Sequence, residues 1–214
     1  MCQDRINNLI QNANHYLNVF VEKNQYRGPS IYFHDKIMNI LDETPLIDLQ
    51  DSITFSECIY SVLVSWGMHK IGTGPQLKNF SDFHKVINNF IQCGIPISNL
   101  TITELNEESI NQLVTLFGNN SVMHSTRRLV GNSKALHHIL PKVIPPIDNT
   151  NTLWFFGLKN TVGNESANFK SILKKYQQII TSINWDNINY SGIMNKTRVK
   201  IIDNAIIGFR LSQD

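Results

Sequence analysis

Cysteine is scarce in this 214-residue chain: Cys2, Cys58 and Cys93 are odd in number and far apart. That excludes a disulfide framework and a zinc motif of paired cysteines, and it points to a reducing compartment. No apolar run approaches the roughly 18 residues a membrane span needs. The opening "MCQDRINNLIQNANHYL" has no basic segment ahead of an apolar core, so it does not read as a secretion signal. Internal repeats and low-complexity linkers are missing. So are a phosphate-binding glycine loop, a nucleophile elbow and a paired metal-ligand motif, and no metal or cofactor is expected. Charged residues are only 17% of the chain against 42% hydrophobic, which suits neither a disordered nor a fibrous protein. The expectation is a cytoplasmic globular protein with no membrane partner.

What the chain has in quantity is helical periodicity. Ile6, Leu9, Ile10, Ala13, Leu17 and Phe20 recur at three- and four-residue steps and predict a first amphipathic helix. Pro29 suits the first turn of a second, in which Ile31, His34, Ile37, Met38 and Leu41 share a face. "SITFSECIYSVLVSWGMHKIG" predicts a buried helix ending near Gly67 or Gly72, and Ser81 is placed to cap the next. "NEESINQLVTLFG" carries acidic residues at its start and stops at Gly118. "SANFKSILKKYQQIITSI" and "KTRVKIIDNAIIGFRL" keep the same spacing, and no run alternates as a paired strand would. The fold class is therefore all-α: about eight to ten helices in a single globular domain, 1–214, with possible lobes 1–118 and 119–214.

Charge divides the chain. Residues 1–110 hold seven Lys/Arg against twelve Asp/Glu, a balance of −5, and residues 111–214 hold twelve against five, a balance of +7. A basic half suits an anionic partner such as nucleic acid, and it also simply keeps a surface soluble. Within it lies "LVGNSKALHHILPKVIPPIDNT", residues 129–150. This stretch reads as a helical hairpin near residues 125–140, with a tight turn at Gly131-Asn132 and a second helix capped by Asn132 or Ser133. Amides at the start of that helix, with Lys134 in its first turn and Arg127-Arg128 just before, would form an anion site. Pro145-Pro146 holds the following residues extended and delivers Asp148 to a fixed place. Asp148 is either the cap of the next helix or a catalytic carboxylate.

The arrangement resembles the helix-hairpin-helix DNA glycosylase superfamily, whose hairpin has the form Leu-Pro-Gly-Val-Gly-x-Lys/Thr-x-Ala and is followed by a helix and Val-Pro-Val-Asp. Gly131 and Ala135 match the second glycine and the alanine, and "IPPID" matches the Pro-x-Asp segment. Leu129 stands where the first glycine belongs, the bifunctional enzymes' lysine falls on Ser133 with Lys134 one place on, and the intervening helix is shorter. The match covers roughly 20 residues. It implies a two-lobed base-excision enzyme that grips duplex DNA through the amides around Gly131, Asn132 and Ser133, flips a base, and uses Asp148 on the sugar. Lys134 is then a phosphate contact; Schiff-base chemistry would need a lysine of depressed pKa.

Other residues read both ways. Tyr26-Arg27 and Tyr32-Phe33 could stack bases, or be core. His34 and the "WGMHK" segment at Trp66 to Lys70 place histidines beside aromatics, as core or interface groups do. His137 and His138 lie about 100° apart on a helix, so one is expected in the core and the other in solvent. Asp203-Asn204 sits in an apolar helix and predicts a buried polar network, with the Pro-Pro loop as one partner. Two functions stand: a nucleic-acid-binding protein that is a divergent DNA glycosylase-like enzyme, or a non-catalytic helical binding or scaffold protein.

Overall fold

The computed structural model describes residues 2–23, 26–68, 76–188 and 194–213. Ten α-helices, with short 3-10 and π segments between them, bring the helical share of the described residues to 70% and form a single all-α domain, and no strand occurs among the described residues. In chain order they are α1 (Cys2–Gln11), α2 (Ala13–Lys23), α3 (Pro29–Glu43), α4 (Ile53–Ser65), α5 (Phe80–Gly94), α6 (Glu107–Asn119), α7 (Leu129–His137), α8 (Trp154–Phe156), α9 (Glu165–Ser182) and α10 (Arg198–Leu211). No helix is long and apolar enough to cross a membrane among the described residues.

The amphipathic pattern places most of them. In α5 the residues Phe83, Ile87, Phe90 and Ile91 are buried, as their spacing predicts, but the cap is Asn79, whose side chain accepts from the Asp82 amide, and not Ser81. The expected single first helix is broken at Asn12, whose amide side chain turns back to the Asn8 carbonyl. Helix α4 gives way at Trp66 and Gly67; Gly72, with His69 and Lys70, lies outside the described residues.

Helix α10 is the centre. Every residue from Val199 to Phe209 is buried, and α2, α9 and α1 pack around it. The contact with α2 is made at backbone distance, because a Cβ on Gly208 would lie 1.8 Å from the Tyr16 carbonyl oxygen. Only glycine fits there, and the Tyr16 and Phe209 rings pack at 4.8 Å beside the crossing. One hydrophobic cluster runs from Ile6 to Phe209.

Gly208→Ala should therefore cost about 3 kcal/mol or abolish folding, since rigid backbone opposes the new methyl. Gly131→Ala is the contrast: its Cβ would meet the Met123 side chain at 2.2 Å, and a flexible thioether can move. Better helix propensity offsets part of that clash, so the variant should stay within about 1 kcal/mol of wild type. Urea unfolding of both checks this, and an unchanged midpoint for Gly208→Ala would mean that α2 and α10 do not cross as described.

Candidate functional site

The stretch 129–150 folds differently from the hairpin its glycine suggests. Gly131, Asn132 and Ser133 are buried inside a single helix, α7, and not at a turn. Local turn preference is overridden by packing. Gly131 makes room for Met123, while the Asn132 side chain donates to the Phe117 and Asn120 carbonyls and accepts from the Val122 amide. Ser133 Oγ takes the Ile147 amide at 3.1 Å and His137 Nδ1 donates to the Ile144 carbonyl at 2.7 Å. Helix α7 thus fixes the Pro-Pro segment. The helix start already holds an anion: Glu165, at 4% exposure, accepts from the amides of Arg128 and Leu129. Gly131, Asn132 and Ser133 consequently cannot present amides to a phosphate. Arg128 is spent on Glu165 and the Gly118 carbonyl, and Arg127 is exposed.

Lys134 is the member of the set that reaches an opening. It lines a cleft of about 360 Å³ with Tyr26, Trp66, Ser30, Asn151 and, at the rim, Lys23. That falls within the roughly 300–1,000 Å³ usual for small-ligand sites. Tyr26 and Trp66 stand 6.1 Å apart at 54°, and the Lys134 ammonium lies 5.1 Å from the Trp66 ring centre. Burial lowers the Lys134 pKa from the ordinary lysine value, and Asp148 and Asp203 oppose that shift. Asp148 is not itself a wall of the cleft. Its carboxylate accepts the Asn151 amide at 2.5 Å and the Asn151 side chain at 3.0 Å, capping the wide π turn Asn149–Leu153 and holding Asn151 at the cleft.

Beneath the cleft is a buried polar nucleus. His34, His137 and His138 are all at most 1% exposed, so the expectation that one of the pair 137–138 faces solvent fails. Helix α7 is packed between α4 and α9, and both histidines are turned into the interior. His34 Nδ1 and His138 Nε2 are 3.2 Å apart, and Trp66 packs on both rings. Lys200 donates to Asp203 at 2.5 Å and Asn204 at 2.7 Å, and Asn204 donates to Asn195. The Asp203-Asn204 network expected from sequence is present, with Lys200 as its cation. Burial raises the Asp203 carboxyl above its ordinary value. Desolvation pushes the His34 and His137 imidazoles far down and His138 down to about 4, so all three are neutral at pH 7. No group of three or more His, Cys, Asp or Glu among the described residues is arranged to hold a metal.

Lys134, Tyr26 and Asp148 were legible as candidates; Trp66 as a wall and Asn151 were not, because only the crossing of α3, α4, α7 and α10 brings them together. No protein-family model, curated protein or solved structure matches the chain.

Neutral burial of imidazoles has a sign. A lowered native pKa leaves the unfolded chain binding more protons, so stability is full above about pH 6.5 and falls as pH drops through the window down to about 4 for His138. Asp203, raised in the fold, acts oppositely but is one group against three. Unfolding at pH 5.5 should take up roughly two protons net, a slope on the order of 3 kcal/mol per pH unit. Denaturant midpoints at pH 7.5 and 5.5 measure it, and equal midpoints would contradict neutral burial.

Proposed function

We propose that the protein binds nucleic acid and admits one unstacked base to the cleft, where Asp148 serves a glycosylase-type excision of that base. One observation carries the reading: two aromatic rings, a lysine and a carboxylate-held asparagine converge on one opening of ligand size. Aromatic faces stack any base, and lysines at the rim meet the phosphates on either side of it. Extrusion is required because the glycosidic bond of a paired base is out of reach. As the bond from the sugar C1′ to the base breaks, positive charge develops on the sugar, water adds at C1′, and the proton that water gives up goes to the departing base nitrogen. The Asp148 charge stabilises that positive charge, as does no neutral cap. Phosphate contacts fall to Lys134, Lys23 and the exposed Arg127, since the start of α7 is filled by Glu165.

A scaffold reading has its own support: Asp148 forms a complete cap with Asn151 and needs no further role. The two separate in solution. Binding to a duplex with one unpaired nucleotide should be salt-sensitive, and Lys134→Ala should weaken it by roughly 1 kcal/mol and flatten the salt slope by about one charge. Asp148→Asn, which caps about as well, should melt like wild type, keep its affinity and lose base release on damaged duplexes. Undetectable binding in low salt removes the nucleic-acid reading in favour of the scaffold. Equal activity in both proteins, or none in either, removes Asp148 as a catalytic residue.

A further inference from the structure

The two ends of α3 and α10 open on different places. Ser30 and Ile207 are walls of the cleft, whereas Asp42 and Arg198 lie toward the other ends of the same helices. At 1.5 Å per residue those ends are roughly 14–18 Å apart. Two hollows of about 210 and 240 Å³ adjoin at the far end, with Lys142, Lys196 and Thr197 as walls of both. The first is floored by apolar side chains, Met38, Leu41 and Ile139 among them, and Asp42 is the acid among its described walls. The second adds Arg198 as a third cation, and its described walls include no acid.

Elsewhere the basic residues of this half meet acids: Lys170 and Lys174 share Glu107, and Arg128 meets Glu165. Lys142, Lys196 and Arg198 form no such ion pair among the described residues. Two of the three are nonetheless held in place, by neutral groups. Lys196 donates to the Asn39 side chain at 2.8 Å, and the Arg198 guanidinium lies 4.8 Å from the Trp185 ring centre. That indole is itself fixed by donating to the Ile180 carbonyl. Glu104, which follows Thr101 and Thr103 in the second hollow, is turned back to accept the Thr101 amide and hydroxyl and is not a wall. The start of α10 contributes its cap and no more, because Thr197 Oγ1 already accepts the Lys200 amide. The site is made by the cations: like charges positioned around a concavity focus a positive field, which an entering anion relieves.

We infer that this groove binds a small phosphate monoester, its phosphate among Lys142, Lys196 and Arg198 and its organic part on the apolar floor of the first hollow. A phosphate monoester carries about −1.5 to −2 charges at pH 7 and three strong acceptor oxygens, which matches three cations. Asp42 sets the direction, since its carboxylate repels the phosphate toward the Arg198 end. A phosphodiester within a strand brings a single charge and is the weaker match. The site lies away from the cleft and stands apart from the base-binding reading.

The test titrates the full chain by calorimetry, at constant ionic strength, with inorganic phosphate, phenyl phosphate and an oligothymidylate lacking a terminal phosphate. Both phosphates should bind one to one, phenyl phosphate at least threefold tighter because its ring covers the apolar floor. Lys142→Gln removes an exposed ammonium and keeps the carbonyl that accepts the Ile102 amide, so it should melt like wild type. It should weaken both phosphates at least fivefold, and Lys142→Arg should stay within twofold of wild type. Lys134→Ala, in the cleft, should leave both affinities unchanged. Binding of neither phosphate overturns the site. A loss in Lys134→Ala that Lys142→Gln does not share puts the phosphate in the cleft and also overturns it. Phenyl phosphate no tighter than inorganic phosphate overturns the seat of the ester in the first hollow. If the oligothymidylate alone binds, and loses affinity with Lys142→Gln, the cations serve a nucleic-acid backbone and the monoester site falls. The base-binding reading is decided separately, by the duplexes and the cleft variants.

Discussion

A helix buried along eleven consecutive residues must carry its polar groups into the interior, and the structure depends on how α10 meets that constraint. Lys200 and Asp203 neutralise each other one turn apart, and Asn204 takes the second ammonium hydrogen and passes the chain on to Asn195. Removing one member would leave an uncompensated charge where water cannot reach, which is why such pairs are retained or lost together. With that pair satisfied, α10 can serve as the axis on which α1, α2 and α9 pack.

The same solution generates the polar nucleus. A lysine and an aspartate at the centre draw in groups that would otherwise be foreign to a core: three neutral histidines, a tyrosine and a tryptophan, all within electrostatic reach of one another. Helix α7 closes this nucleus from one side, and its own start is sealed by Glu165 from α9. Among the described residues the nucleus lies under the opening where Tyr26, Trp66 and Lys134 meet.

Elements with one apolar face were legible in the sequence: α3, α5, α6 and α9 sit where their spacing put them, because amphipathic periodicity is a local property. Helix α10 was legible as a helix and its Asp203-Asn204 pair as buried, but Lys200 was not, since a lysine looks like a surface residue until its partners are known. Gly131-Asn132 misled for a definite reason. A glycine followed by asparagine favours a turn locally, but here the glycine serves close packing on Met123 and the asparagine braces the loop after α6. Asp148 and Lys134 were visible as single residues; their relation to Trp66 and Asn151 is a product of helix crossings that no spacing encodes.

The crossing of α2 and α10 has a consequence for how the chain reaches its fold. Tyr16 and Gly208 touch across almost the whole sequence, so nine helices exist on the emerging chain before the one that completes their core. Until then the apolar face of α2 lacks its main cover. Closing so long a loop is entropically slow, and folding can conclude only after α10 has left the ribosome. A nascent chain of this kind carries an uncovered apolar helix face through most of its synthesis.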